Sequence, residues 1–238
     1  MAHLPRIRQA VVLVPDLDEA IGAARETFGF TTGTRDVESM ADLGFEHEVC
    51  SFADTFLEIC APLSADSASG RLVERRGSLG YMLVVQVDDL DAAVERAAAI
   101  EVQPLFAQPF EGNQISQWHP KALGTLAELD QIEPADSWHF APRIFEASCT
   151  DVARDIVGAE LAVDDPAVMA QRWSTVLDVA LTDATTLHLS GTELRFVAAS
   201  DTSTGLVAVD VAATDPARAG EAVELFGVEF RFVAGAPA

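Results

Sequence analysis

The chain has 238 residues, with 38 acidic against 15 basic side chains, a formal net charge of −23 and 49% hydrophobic residues. The apolar content suffices for a buried core and excludes global disorder. The acidity excludes nucleic acid and anionic membranes as expected partners, because both would be repelled. No apolar run approaches the roughly 18–20 residues of a membrane span, no secretory leader is visible, and three cysteines without a CxxC spacing are typical of free thiols. We therefore expect a cytoplasmic protein.

The first predicted elements form an internal repeat. Val11–Ala24 and Val84–Ala97 each begin as a β-branched apolar run and change to helical periodicity after an aspartate. Asp16 and Asp89 stand where a helix N-cap is needed, and Gly29 is placed to end the first helix. Each segment therefore predicts a strand followed by a capped helix.

Two fainter copies follow at 159–179 and 207–227. Asp165 and Asp215 each stand before a proline, and a proline at the first helical position loses no hydrogen bond. In the last copy, the apolar face of the predicted helix comprises Ala219, Val223 and Phe226. The repeat therefore predicts four strand–helix units.

Each unit also ends in β-rich runs that follow turn residues, namely Phe56–Ala61, Leu126–Asp130, Glu193–Ala198 and Val228–Val233. The pattern predicts an α+β protein of four βαβββ-like units, the last of them shortened. Residues 134–155 lack clear periodicity and form the predicted linker between a domain at 1–133 and a second lobe at 156–238.

Two segments carry a family resemblance. Phe56–Ala97 is similar to the run that joins the two modules of methylmalonyl-CoA epimerases, and Trp118–Gln131 to the His-Pro-Lys…Gly…Glu-Leu segment that closes the same group. Over residues 5–133 the chain resembles the vicinal oxygen chelate superfamily, which includes glyoxalase-like, bleomycin resistance-like and dioxygenase-like proteins. The resemblance implies paired βαβββ modules forming a curled mixed sheet with an open cavity. The second lobe then becomes a degenerate glyoxalase-like copy.

The resemblance also implies a divalent metal, with ligands on the first and last strand of each module. Those positions carry Gln9, Glu58, Met82 and Glu128, with a sequence separation of 49 positions in the first pair and 46 in the second. Strand alternation independently places Gln9, Glu58 and Glu128 on apolar faces, where a carboxylate needs a partner, a cation or a proton.

Histidines, usual in the family at the first and third of these positions, are absent. A metal site of Gln9, Glu58 and Glu128 would offer oxygen ligands and favour Mg²⁺, Mn²⁺ or Ca²⁺ over Zn²⁺. The alternative is that no metal binds and that Glu58 and Glu128 form hydrogen bonds with each other or with a ligand. In the second lobe the equivalent positions carry Arg195 and Arg231, which would either pair with nearby acids or hold an anion.

The five histidines divide by context. His119 precedes the strand that carries the last expected metal ligand, and His139 lies in the linker. For each of them, a role at the site and a structural role remain alternatives. His47, between two glutamates, is predicted on the strand surface or cavity rim. His188 is predicted on a strand surface, and His3 in a frayed terminus.

Two function classes remain. In the first, the chain is an enzyme that moves a proton next to the carbonyl of a small molecule, as an isomerase, epimerase or lyase. The predicted catalytic residues are then Glu128, Glu58 and His119. The predicted substrate-binding residues are Phe56, Met82, Trp118 and His139. In the second, the cavity binds or sequesters a small molecule without metal, as resistance-type members do. Open sheet edges favour a homodimer in either case.

Overall fold

The computed structural model describes residues 4–201 and 203–235, so His3 lies outside the described residues. It contains two seven-stranded sheets, with parallel and antiparallel pairs in each, and helices that alternate with the strands along the chain. The α+β prediction is confirmed.

The first module provides three strands and two helices: β1 (Arg6–Leu13), α1 (Leu17–Phe28), α2 (Val37–Asp42), β2 (Phe45–Ser51) and β3 (Phe56–Pro62). The side chain of Asp16 accepts a hydrogen bond from Glu19 N at 2.9 Å, which caps α1 as predicted. Gly29 ends the helix at φ 79°, a left-handed conformation that glycine adopts without strain. β1 pairs in parallel with β3, and β2 pairs antiparallel with β3.

The second module contains α3 (Ala68–Arg76), β4 (Leu79–Gln86), α4 (Leu90–Ala99), β5 (Phe106–Phe110), β6 (Asn113–Trp118), α5 (Pro120–Leu123) and β7 (Leu126–Gln131). Asp89 caps α4 through Ala92 N at 2.9 Å. β4 pairs in parallel with β7, which repeats the first-to-last pairing of the first module.

The predicted linker contains one short helix, α6 (Arg143–Glu146), and the first three residues of the next strand. The third module then provides β8 (Ala153–Val163), α7 (Pro166–Leu177), β9 (Leu181–Asp183), β10 (Thr186–Leu189) and β11 (Thr192–Ala198). Asp165 caps α7 through Val168 N at 3.1 Å, with Pro166 at the first helical position. β8 again pairs in parallel with β11.

The fourth module contains only strands and a 3₁₀ turn: β12 (Gly205–Ala213), the turn Pro216–Arg218, β13 (Ala222–Leu225) and β14 (Val228–Ala234). The helix predicted from Ala219, Val223 and Phe226 is therefore wrong. Gly220 at φ 97° interrupts the helical path, and the following residues pair antiparallel with β14 instead. The β pairing satisfies the backbone groups that a helix would have used.

The strand order in the first sheet is β2-β3-β1-β4-β7-β6-β5, and in the second it is β13-β14-β12-β8-β11-β10-β9. The first sheet therefore comes from residues before the predicted linker, and the second begins within its last three residues, at Ala153. In all four modules the first strand lies beside the last, which is the repeat that the sequence predicts.

Contacts between Cα atoms group the chain into two compact units, and each unit takes one module from each sheet. Among the described residues, 9–81 group with 139–156 and 208–235, and 82–138 group with 4–8, 157–201 and 203–207. The first of these, which we call the Glu58 unit, has an aromatic core in which Phe28 contacts Phe230 at 5.2 Å and Phe52 at 5.7 Å between ring centroids. The other, the Glu128 unit, is built around the buried Trp118 and Trp173, and Trp173 Nε1 donates to Leu123 O at 2.9 Å.

Candidate active site

The residues predicted to form a site are distributed over the two units. The Glu58 unit holds Gln9, Phe56, Glu58 and His139, and the Glu128 unit holds Met82, Trp118, His119 and Glu128.

Glu58 is the centre of a buried hydrogen-bonded chain in the first of these units. Only 7% of the residue is exposed. Its Oε2 accepts a hydrogen bond from Gln9 Nε2 at 2.7 Å, and its Oε1 lies 2.5 Å from His47 Nδ1. On the far side of the ring, His47 Nε2 accepts a hydrogen bond from the backbone N–H of Asp36 at 2.8 Å. The carboxylate is therefore held at both oxygens, and its histidine partner is itself held.

Strand register explains why these residues meet. In the parallel β1–β3 pair, Val11 lies opposite Glu58, so Gln9 shares the face of Glu58 two residues earlier. In the antiparallel β2–β3 pair, Cys60 lies opposite His47, which places His47 on that same face. Three neighbouring strands thus direct Gln9, Glu58 and His47 to a single point of one sheet face.

The sequence-based prediction that His47 lies on the strand surface or cavity rim is wrong, since the residue is only 2% exposed. The misleading signal was the pair of glutamates beside it. Glu46 is exposed, but Glu48 is buried on the opposite face of β2, where its carboxylate accepts from Arg25 at 2.8 Å and from Arg35 at 2.9 Å. Both faces of β2 are covered at this point, and covering residues from distant segments cannot be read from local alternation.

A residue of the linker covers the His47 ring. Phe140 packs edge to face against His47 with 6.1 Å between ring centroids, and the Arg143 guanidinium lies 5.2 Å from the Phe140 ring centre. Phe140 adopts φ 64°, a left-handed conformation that is costly for a bulky side chain. Nearby, the predicted substrate contact Phe56 is fully buried and packs on Phe145 at 5.9 Å, while His139 is half-buried.

Cys50 and Cys60 are free thiols, as the sequence predicts, and both are buried in this unit. Burial, with a smaller contribution from the charge of Glu58, raises the pKa of the Cys60 thiol well above its usual range. Burial likewise raises the pKa of Cys50 to about 12. Both thiols therefore stay protonated at neutral pH, and neither supplies a nucleophile. Burial also raises the pKa of Tyr81, the one tyrosine of the chain.

In the Glu128 unit, Glu128 lies half-buried on β7. The amide nitrogen of Gln117 lies 3.5 Å from Glu128 Oε2 and 3.8 Å from the sulfur of Met82, so these two predicted site residues are brought together around one amide. Trp118 is fully buried, and its Nε1 donates to Ser116 Oγ at 2.8 Å. His119 is exposed and caps α5, with its Nδ1 accepting from Lys121 N at 3.1 Å.

The side chains at the expected metal positions do not fit a divalent cation. Hard cations require oxygen lone pairs directed at one point. Here Gln9 turns its amide nitrogen, not its oxygen, toward Glu58, and both Glu58 oxygens engage hydrogen-bonding partners. Met82 presents a thioether, a poor ligand for such ions. The donor set of these residues is arranged for hydrogen bonding.

The two arginines at the equivalent positions of the second sheet pair with acids. Arg195 contacts Glu193 at 2.7 Å and Glu160 at 3.5 Å, and Arg231 contacts Glu229. Of the two roles open for these arginines, the structure therefore supports pairing with nearby acids. His188 is also placed as predicted, on a strand surface with 60% of its side chain exposed.

Comparison with known proteins gives the family. The model of the glyoxalase-like domain matches residues 10–177 of the chain. The chain belongs to the glyoxalase-like domain family. This membership confirms the resemblance to the vicinal oxygen chelate superfamily. No curated protein matches the glyoxalase-like chain, and among its described residues no helix is long and apolar enough to cross a membrane.

Solved structures resemble the glyoxalase-like chain over all or part of its length. A hypothetical protein from Staphylococcus aureus matches with a TM-score of 0.69 and 9% identity over 97% of this chain and 100% of that one. Methylmalonyl-CoA epimerase from Mycobacterium tuberculosis matches with a TM-score of 0.46 and 25% identity, covering 54% and 88% of the two chains. A methylmalonyl-CoA epimerase in complex with methylmalonyl-CoA and NH4+ matches with a TM-score of 0.47 and 24% identity, covering 57% of this chain and 99% of that one. The S. aureus structure shows that the fold extends over nearly the whole chain.

Proposed function

We propose that this glyoxalase-like chain is a small-molecule enzyme that moves a proton next to a carbonyl group, with Glu58 as the base. The observation that supports this most directly is the buried carboxylate of Glu58, held by Gln9 and His47. A carboxylate oriented before the substrate arrives needs little reorganisation when it accepts a proton. The proposal covers isomerase, epimerase and lyase reactions, which share this first step.

The proton balance of the reaction is simple. Glu58 takes a proton from the carbon next to the carbonyl, and the electron pair of the broken C–H bond forms the enolate. Return of the proton to a different face or carbon gives an epimer or isomer, whereas loss of a leaving group from the enolate gives a lyase product. Glu128 is the proposed second acid–base group, and Phe56, Met82, Trp118, His119 and His139 remain proposals for supporting roles.

The test is deuterium exchange into carbonyl compounds in D₂O, followed by proton NMR. Dihydroxyacetone and methylmalonyl-CoA are suitable probes, because one is a hydroxyketone and the other a thioester with an acidic C–H bond. The wild type should exchange the C–H proton, and Glu58→Gln should lower the rate by about 100-fold or more, the usual contribution of a general base. Glu46→Gln is the matched control, because Glu46 is an exposed carboxylate on the neighbouring strand β2, directly before His47. Equal rates in the wild type and Glu58→Gln would refute the assignment.

Metal dependence gives a second test. The hydrogen-bonded side chains at the metal positions lead us to expect that exchange by the wild type persists after treatment with EDTA and is not raised by Mg²⁺, Mn²⁺ or Ca²⁺. Metal content should be measured on the same samples. Loss of activity on chelation, with recovery on adding one of these ions, would contradict this expectation and show that the reaction depends on a divalent metal.

A second candidate function is binding or sequestration of a small molecule without turnover. The same lack of fit to a metal favours it, because a resistance-type protein needs no Lewis acid. The two functions separate in one experiment: a binder would show a raised melting temperature with a bound compound and no deuterium exchange in that compound.

A further inference from the structure

We propose that His47 is a positioning residue for Glu58, and that it works as a neutral imidazole whose proton lies on Nδ1. The inference rests on the proposed function of Glu58 and deepens it. Sequence reasoning assigned His47 to the strand surface or cavity rim, whereas the structure places it within hydrogen-bond distance of the proposed base.

The backbone of Asp36 determines the tautomer. Its N–H can only donate, and it donates to His47 Nε2 at 2.8 Å, so Nε2 must carry a lone pair. A neutral imidazole then carries its one proton on Nδ1, which lies 2.5 Å from Glu58 Oε1. Protonation of Nε2 would place its N–H directly against the backbone N–H of Asp36. The ring is therefore a neutral donor to Glu58, with its orientation determined at both nitrogens.

Packing holds the ring in this orientation. His47 is buried, and Phe140 contacts it from the linker in a left-handed backbone conformation. Such conformations persist where the surrounding structure imposes them, and they concentrate at functional sites. A ring clamped by Asp36 and Phe140 cannot rotate away from Glu58 without breaking both contacts.

The arrangement has a mechanistic consequence. When Glu58 accepts a proton from carbon, the oxygen that His47 holds keeps its hydrogen bond, and the oxygen that faces Gln9 is left to take the proton. His47 thus decides which carboxylate oxygen reacts and where it points. Misplacing a reacting group by about 1 Å costs roughly 100-fold in rate, so the effect of losing this hydrogen bond should be large.

Two substitutions test separately the hydrogen bonds that His47 makes with Glu58 and with Asp36. In His47→Asn, the amide nitrogen replaces Nδ1 and keeps the donor to Glu58, but the acceptor for Asp36 is lost. In His47→Gln, the amide oxygen replaces Nε2 and keeps the acceptor, but the donor to Glu58 is lost. The same pair of changes at the exposed His188 provides the matched control.

We expect His47→Gln to lower kcat for deuterium exchange by about 10- to 100-fold with KM nearly unchanged, and His47→Asn to keep most of kcat. Thermal melts of both variants show whether a lowered kcat is due to a loss of folding. A purely structural role would lower activity in proportion to stability in both variants. That outcome, or equal kcat in the two folded variants, would overturn the proposal.

A second measurement needs no substrate. In wild-type protein labelled with ¹⁵N-histidine, the shifts of the two His47 nitrogens should show a protonated Nδ1 and an unprotonated Nε2 at neutral pH. A protonated Nε2 would overturn the inference even if both variants fail to fold. If the tautomer is as expected but wild-type protein exchanges none of the probes, the hydrogen-bond geometry stands and the proposed function of Glu58 fails.

Discussion

Single carboxylates in this acidic chain have very different surroundings. Most of the acidic residues are exposed, whereas Glu48 and Glu58 are buried on opposite faces of neighbouring strands. Glu48 is neutralised by Arg25 and Arg35, while Glu58 contacts an uncharged amide and a histidine. Two guanidinium groups occupy the Glu48 carboxylate, whereas the Glu58 carboxylate accepts a hydrogen bond from an amide and lies beside an imidazole. The contrast supports Glu58 as the functional residue.

Asp155 allows a test of how burial acts on one acid. Burial raises its pKa from the ordinary value of 3.8, although its Oδ1 accepts hydrogen bonds from Asp54 N and Thr55 Oγ1. A raised pKa in the folded state favours the protonated form, so the stability contributed by this group is present at low pH and is lost as pH rises through the folded pKa. Asp155→Asn keeps the acceptor oxygen and removes the charge. We expect it to be at least as stable as wild type at pH 7, with the difference in its favour shrinking as pH falls through the raised pKa toward 3.8.

Chemical denaturation of both proteins at a series of pH values measures this difference. Because all other acids are shared, the comparison isolates Asp155. A stability difference that does not change between pH 3 and pH 7 would contradict the raised pKa.

Among the elements, the aspartate caps were the most accurate predictions. Asp16, Asp89, Asp165 and Asp215 each accept a backbone hydrogen bond at the start of a helical segment. The fourth of these starts only a 3₁₀ turn of three residues, because Gly220 and the β13–β14 pairing end the helical path. A capping aspartate therefore predicts where a helix begins but not how far it continues.

This difference predicts unequal costs for removing two caps. Asp16→Ala should lower the free energy of unfolding by about 1 kcal/mol, the usual cost of losing an aspartate N-cap. Asp215→Ala should cost less, because the exposed turn it caps has no buried residue. Denaturant melts of the two variants test this. An Asp215→Ala cost equal to or above that of Asp16→Ala would contradict the role assigned to the caps.

At the scale of the whole molecule, modules distant in sequence share a core. In the Glu58 unit, Phe230 of the last module packs on Phe28 of the first helix, and Phe232 lies 6.1 Å from the same ring. A chain ended at Gln131 would lose these two partners of Phe28 and keep Phe52. The division into domains at 1–133 and 156–238 stays a prediction. It corresponds to the two sheets, whereas each compact unit draws on both.

Phe230→Ala should therefore lower the free energy of unfolding by about 3–5 kcal/mol, as is usual for a buried phenylalanine. Phe110→Ala is the control, because Phe110 is 39% exposed on β5 and its loss should cost much less. The mutation should also disturb the surroundings of Phe28, a change that aromatic NMR resonances can report. A small effect of Phe230→Ala would show that the last module contributes little to this core.

Sequence alone indicated the family through the resemblance of two segments. It also determined the local properties of this protein: three strand–helix repeats, four aspartate caps, the α+β class and the carboxylates on apolar strands. These follow from residue periodicity and capping, which depend on neighbours in the chain. Tertiary structure decided that His47 is buried against Glu58, that Gln9 turns its amide nitrogen to that carboxylate, and that the last predicted helix is a strand. Each of these depends on partners from distant segments, such as Asp36, Phe140 and β14, whose positions no local pattern encodes.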